Sequence, residues 1–324
     1  MTALHFEPGE LPPEAEELRC EVRDFLAETM ADIPPALKAR NWTAWHPEFS
    51  HKLGERGWIG MTWPKKYGGS ERSFLERYVL LEELLAAGAP VGFHWIADRQ
   101  SGPLILRFGT EEQRETILPG ITRGETAFGI GMSEPNSGSD LASVRTKAEK
   151  IDGGYRVNGS KIWTSGAHMA NYLVALFRTS GTAEDRHDGL TQFIVDLKNT
   201  DGIDIRPIHN MTGDHDFNQV FFEDAFVPET MRVGNEGDGW MQVTTELAFE
   251  RSGPERYLSS FPLVKNSIGH AGQDPSERQA IGLGRMLARA ATYREMSLSV
   301  SGMLEAGKNP DLEAAVMKEL GVGF

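Results

Sequence analysis

Residues Gly131-Met132-Ser133-Glu134-Pro135-Asn136-Ser137-Gly138-Ser139-Asp140 decide how this chain is read. They leave an apolar run, Ala127 to Met132, and enter a turn of Pro, Asn, Ser and Gly. There, backbone N–H groups and the hydroxyls of Ser133, Ser137 and Ser139 are expected to face a phosphate or a polar ring edge. Downstream, Lys161-Ile162-Trp163-Thr164-Ser165-Gly166 offers Trp163 as a flat face for a planar group. Read singly, the first segment is equally a surface loop and the second equally a core strand; the pair is the more specific signal.

Working outward, the apolar spacing changes twice. From Pro13 to about Leu118 apolar residues recur at three and four (Leu18, Val22, Phe25, Leu26; Leu75, Tyr78, Leu81, Leu84, Leu85), which predicts packed amphipathic helices. From Thr126 to about Val233 short β-rich runs alternate with turn residues: Lys147 to Ile151, a hairpin turn at Asp152-Gly153-Gly154, Tyr155 to Val157, Tyr172 to Phe177, Gln192 to Leu197 and Asn218 to Phe222. This predicts a small antiparallel sheet. After Gly237-Asp238-Gly239 the helical period returns, through Met241 to Glu250, Tyr257 to Ile268, Ser276 to Leu304 and Pro310 to Leu320. The expected class is α+β in three domains: helical 1–125, β 126–236, and helical 237–324.

A chain of 324 residues, 40% hydrophobic and 25% charged, buries substantial cores and suits two or three domains. Its net charge of -14 argues against nucleic acid as a partner. The single Cys20 allows no intrachain disulfide, which suits a reducing compartment. Apolar runs are short and broken by charge or Gly, and the N-terminus is acidic, so a cytoplasmic location without a membrane span is expected. The histidines show no ligand spacing of the His-x-x-x-His type, and His215, between Asp214 and Asp216, reads as a solvated turn residue; no metal is expected.

The stretch Gly131 to Asp140 resembles the first signature of the acyl-CoA dehydrogenase family: small, apolar, Ser or Thr, Glu, two free positions, small, Gly, Ser or Thr, Asp. The resemblance extends to Gly57-Trp58, Trp63-Pro64 through Tyr67-Gly68-Gly69, Phe108 to Gln113 and Leu118-Pro119-Gly120 upstream, and to Asn218–Pro228 and Gly237 to Trp240 downstream. It implies the family's helical, β and helical domains and FAD as cofactor, bordered by Ile130, Met132, Ser133, Gly138, Trp163, Thr164 and Ser165. It implies an acyl-CoA substrate touched by Ser139, Leu247 and Arg251. Phe93, Trp95, Ile96 and Arg99 fall where the family's acyl pocket is lined, but their helical spacing reads equally as core.

The implied reaction is α,β-desaturation of the thioester, with electrons passing to an electron-transfer flavoprotein; an acyl-CoA oxidase is the alternative enzyme. Such a reaction needs a carboxylate base in a dry pocket. Glu246 and Glu250 share one helix face, and Leu247-Ala248-Phe249-Glu250-Arg251 resembles one of the family's two base positions, so Glu250 is the expected base, against a surface ion pair with Arg251 or Arg256. Two departures accompany the resemblance. Arg278-Gln279-Ala280-Ile281-Gly282 replaces an aromatic of the family with Ile281, and similar proteins continue for at least two helices beyond Phe324. The expectation is a C-terminally short member in a homo- or hetero-oligomer, with a non-catalytic partner subunit as the reading from another class.

Overall fold

Helices in the first part of the chain begin where the sequence supplies a cap or a proline. α1 (Pro13–Thr29), α2 (Pro35–Arg40) and α3 (Pro47–Glu55) each carry Pro in the first turn, and His46 Nδ1 accepts the Phe49 amide at 3.1 Å to close the last. α4 (Phe74–Ala86) opens on a reciprocal Ser73/Glu76 capping box. The computed structural model describes residues 4–251 and 253–324, with the side chains of 4–245 and 253–324. It divides into two compact units, Met1–Phe93 with Leu247–Phe324, and His94–Glu246.

In the first unit α1 buries Ala15, Leu18, Val22, Phe25 and Leu26, the three-and-four spacing of an amphipathic stripe. That stripe meets α4, which in turn packs on α11 (Glu277–Glu305); Ala15, Tyr78, Val79 and Leu298 form one contiguous cluster. A side chain such as Val79 or Leu298 contributes roughly 1.5–3 kcal/mol on burial. A polar network crosses the same seam: Glu82 accepts from Arg19 at 2.8 Å and Arg294 at 2.7 Å, and the Tyr78 and Tyr257 hydroxyls lie 3.0 Å apart. The unit also contains α9 (Glu255–Leu258), α10 (Phe261–Ala271) and α12 (Asp311–Val322), with Pro310 as the residue before α12. α11 is buried only from Ser297 onward, so its first half, with Ile281 and Leu287, and the neighbouring Leu263 and Ile268 of α10, are exposed.

Chain passes between the units through α5 (Gly92–Ile96), which continues as a π-helical turn, Ala97–Ser101, and through α8 (Gly239–Arg251). The second unit holds α6 (Gly102–Phe108), α7 (Glu111–Thr122) and one seven-stranded sheet. The strands are β1 (Phe128–Gly131), β2 (Lys147–Ile151), β3 (Gly154–Ser165), β4 (Tyr172–Arg178), β5 (Leu190–Asp196), β6 (Ile203–His209) and β7 (His215–Pro228). Their order is β1-β4-β2-β3-β7-β6, with β5 also on β4. The hairpin turn falls at Asp152 and Gly153, the latter at φ 75°, a value that favours glycine.

The sheet is mostly antiparallel, but β1 runs parallel to β4 along four residues and β2 meets β4 at one parallel pair. Gly131 explains the close β1–β4 approach: a Cβ there would stand 2.9 Å from Leu173 Cδ2. β3 and β7 form the longest ladder and slip between Lys161 and Thr164. α7 is tied to the segment that follows β7 by Gln113, which closes its own capping box with Thr110 and donates Nε2 to the carbonyls of Thr230 and Arg232. Among the described residues no helix is long and apolar enough to cross a membrane.

Candidate functional site

The quoted turn is held from beneath by a buried ion pair. Lys161, on β3 and 0% exposed, donates to Glu134 Oε1 at 2.8 Å and to the Met132 carbonyl at 3.1 Å; Glu134 is 8% exposed. The same carboxylate accepts the Arg145 and Thr146 amides at 2.7 and 2.9 Å. Burial opposes charge on Glu134, but Lys161 and these donors outweigh it and hold its pKa below the ordinary carboxylate value. Burial lowers Lys161 to about 8, against the pull of Glu134, so the ammonium persists at neutral pH.

Within the turn, Glu134 and Ser137 exchange backbone hydrogen bonds at 2.9 and 3.0 Å. The Ser137 hydroxyl is buried, donates to the Asp140 carbonyl at 2.7 Å and meets Ser143 Oγ at 3.0 Å. Ser137 and these two amides therefore close the turn on itself, and the expectation that Ser137 faces a ligand is corrected. Ser139 is exposed and Ser133 half-buried, and among the described residues their hydroxyls have no partner. Gly138 is exposed, and a Cβ on it would meet nothing within 4 Å.

β3 supplies the second half. The Ile162 amide donates to the Ser133 carbonyl at 2.9 Å, which sets turn and strand side by side. At the slip in the β3–β7 ladder Trp163 adopts φ 61°, a left-handed conformation costly for a bulky residue, and projects with its indole 57% exposed. Phe217 supports it edge-on, ring centroids 6.0 Å apart. Ser165 is exposed like Trp163, whereas Thr164 between them is fully buried and its Oγ1 has no hydrogen-bond partner among the described residues. Ile130 and Met132 are half-buried, and Met132 packs on Val144, Leu176, Leu190 and Val243.

The structure thus brings Ile130, Met132, Ser133, Gly138, Ser139, Trp163, Thr164 and Ser165 together on the joined β1 turn and β3. The side chains of Leu247, Glu250 and Arg251 lie outside the described residues. Sequence reading missed two scaffold residues, Lys161 and Arg178. Buried Arg178 donates to the carbonyls of Ala142, Val144, Arg186 and Asp188, joining the tail of the turn to the β4–β5 loop. That loop returns Arg186 in a two-pronged pair to Asp140, at 3.0 and 2.5 Å. The only sequence signal was positional: Lys161 and Arg178 sit inside β-rich runs where an outward charge is the default reading. His215 is half-buried at the start of β7 and stacked on His168, a correction to its reading as a solvated turn residue.

Comparison with known proteins gives a concordant picture. Residues 12–125 match the family model "Acyl-CoA dehydrogenase, N-terminal domain" and residues 129–225 match "Acyl-CoA dehydrogenase, middle domain". The chain is 33% identical over 327 residues to acyl-CoA dehydrogenase FadE26 of Mycobacterium tuberculosis, covering 94% of this chain and 80% of that one. Among solved structures it is similar to the Tcur3481-Tcur3483 steroid ACAD, with TM-score 0.86 and 30% identity over 96% of this chain and 82% of that one. It is also similar to a chain of the ChsE4-ChsE5 complex from Mycobacterium tuberculosis, with TM-score 0.81 and 31% identity over 96% and 81%.

The buried pair predicts a pH signature. The folded pKa of Glu134 is depressed, so its stabilisation is complete above the unfolded carboxylate value of 4.5 and is lost as pH falls through the folded value. Glu134→Gln, which leaves Lys161 buried without its counter-charge, is expected to cost about 3 kcal/mol at neutral pH. Its thermal midpoint should also decline less steeply than the parent's between pH 5 and 3 on the order of this linkage. Parallel acid limbs for parent and variant in calorimetry would overturn the assignment.

Proposed function

The chain belongs to the acyl-CoA dehydrogenase family of FAD-dependent oxidoreductases, and on that premise we propose that it desaturates an acyl-CoA thioester at Cα–Cβ, using Glu250 as base. We keep the three-domain division 1–125, 126–236 and 237–324 for this reading. One observation carries it: a large aromatic, Trp163, held exposed in a left-handed conformation beside the hydroxyls of Ser133 and Ser165, which have no partner among the described residues.

These residues fit the family's cofactor. The Trp163 indole offers a broad face to a ring system, Ser133 and Ser165 offer donors to its polar edge, and the open space above Gly138 admits a ligand against backbone. Thr164 contributes through its main chain, since its side chain is buried. Bound FAD would supply a two-electron hydride acceptor, which no side chain offers.

The chain's own residues supply the rest. Glu250, ionised, takes the proton from the α-carbon, whose electrons form the new C=C bond as hydride departs from the β-carbon. The reaction asks for a carboxylate in a dry pocket, where a raised pKa makes a stronger base toward a weak carbon acid. Ser139 and Arg251 would bind the CoA portion, and Leu247 would border the acyl chain. An electron-transfer flavoprotein would receive the electrons; oxygen in that place would make the protein an oxidase. We place the protein in the cytoplasm.

We also infer an oligomer, with homo- and hetero-oligomeric forms both open. Ile281 and Leu287 on α11, and Leu263 and Ile268 on α10, are exposed apolar groups of one unit, and the similar ChsE4-ChsE5 structure is that of a complex. At micromolar concentration the chain is expected to sediment as a dimer or larger, and Ile281→Glu with Leu287→Glu should shift it toward monomer. A monodisperse parent monomer, in the presence and absence of a homologous chain, would contradict this.

Two substitutions test the chemistry. Trp163→Ala should lose most bound FAD, read by absorbance of the purified oligomer; stoichiometric FAD in the variant would remove the cofactor assignment. Glu250→Gln keeps shape and removes basicity, so it should bind FAD and acyl-CoA yet bleach the flavin several powers of ten more slowly on anaerobic mixing. Glu246→Gln should be nearly silent. Parent-rate bleaching by Glu250→Gln would place the base elsewhere and favour the partner-subunit role.

A further inference from the structure

Behind the Trp163 step, two imidazoles are stacked. His168, in the turn after β3, and His215, first residue of β7, have ring centroids 3.8 Å apart and planes 15° from parallel, and His209 at the end of β6 stands 5.6 Å from His215. His215 Nε2 lies 2.7 Å from Asn218 Oδ1, and Asn218 Nδ2 donates to the Thr164 carbonyl at 2.9 Å. Asn218 is fully buried and is also the ladder partner of Thr164, the first pair after the slip. Its bond fixes the plane of the Thr164–Ser165 peptide, and so the exit from the left-handed Trp163.

The hydrogen-bond order sets the proton positions. Asn218 uses its amide donor on Thr164, so its oxygen accepts, and His215 must carry hydrogen on Nε2. His168 Nδ1 is buried without a hydrogen-bond partner among the described residues. Two neutral rings stack readily; a charge on either one faces the other across van der Waals distance. Burial lowers the His168 pKa, His215 and Lys198 lower it further, and the neighbouring Asn218 and Asp216 oppose them without reversing the direction. With a folded value below the ordinary 6.5, protonation favours the state in which the stack is open, so acidification through 6.5 loosens it.

We propose that His215 and His168 are positioning residues of the cofactor face: His215, through Asn218, holds the Thr164–Ser165 peptide, and with it the Trp163 ring, in the geometry that receives the flavin, and protonation of the stacked His168 releases it. The proposal rests on the FAD reading above and adds a proton-sensitive support that neither ring provides by touching the cofactor.

The test compares parent, His168→Phe and His215→Leu from pH 7.5 to 5.5, reading FAD affinity by flavin fluorescence and the Trp163 emission as the difference between each protein and its Trp163→Phe counterpart. Phe keeps a stacked ring at position 168 and cannot titrate. The parent should lose FAD affinity about tenfold on acidification, the scale of one buried hydrogen bond. His215→Leu should be weakened about tenfold already at pH 7.5, and His168→Phe should match the parent at pH 7.5 and stay flat. An acid loss retained in His168→Phe, or an unchanged His215→Leu, would overturn the proposal. Where His215→Leu is not recovered folded, by far-UV circular dichroism, the Phe variant decides alone. If the parent binds no FAD at any pH, the cofactor reading falls. Trp163 emission then decides this inference: a pH shift present in the parent and absent in His168→Phe sustains it, and no shift ends it.

Discussion

The contact between Lys161 and Glu134 is the constraint on which the rest of the β unit depends. A carboxylate accepts two backbone amides and an ammonium in a dry interior, and each partner lies on a different piece of chain: the turn, the segment entering β2, and β3. Replacing such a pair with well-packed apolar groups is often neutral, whereas removing one member is costly. Its value here is therefore directional. It forces the turn after β1 to lie against β3, so that outward hydroxyls and an outward indole share one surface.

Arg178 does for the opposite side what Lys161 does for this one, with a different chemistry. A guanidinium satisfied by four carbonyls keeps its charge at any physiological pH, so the junction of turn and β4–β5 loop does not titrate. Burial lowers the Arg178 pKa, yet from so high a starting point that ionisation is unaffected near neutrality. The turn is thus pinned by one partner that can lose its charge near pH 8 and one that cannot.

Much of the architecture was legible in the sequence because it rests on local periodicity and turn chemistry. Lys147 to Ile151 is a strand as read, and Asp152-Gly153 makes the hairpin because glycine accepts the left-handed φ. The five C-terminal helices follow the apolar spacing, though the run Tyr257 to Ile268 splits into α9 and α10 before Pro262. β3 runs on to Ser165 rather than stopping at Val157, because a ladder partner distant in sequence, not its own alternation, sustains it. β6 escaped notice for the converse reason: it is a half-exposed edge strand whose Ile203-Asp204-Ile205-Arg206 alternation is short and ends in a proline. Of the site, the aromatic and the outward serines were readable as motif members. Inward Ser137, Lys161 and Arg178 were not, since hydropathy sends a polar side chain to water unless a specific partner is known.

The β3–β7 ladder joins Gly154 to Pro228 and Ser165 to Phe217, and between those strands the chain makes β4, β5 and β6. Closing so long an excursion is slow compared with forming the β2–β3 hairpin, because the entropy of the intervening chain is lost before the ladder repays it. During synthesis, Trp163 leaves the ribosome well before the strand that bends it. The aromatic face is consequently a late product of folding, assembled only when β7 arrives, because before then no ladder holds Trp163 in its left-handed turn.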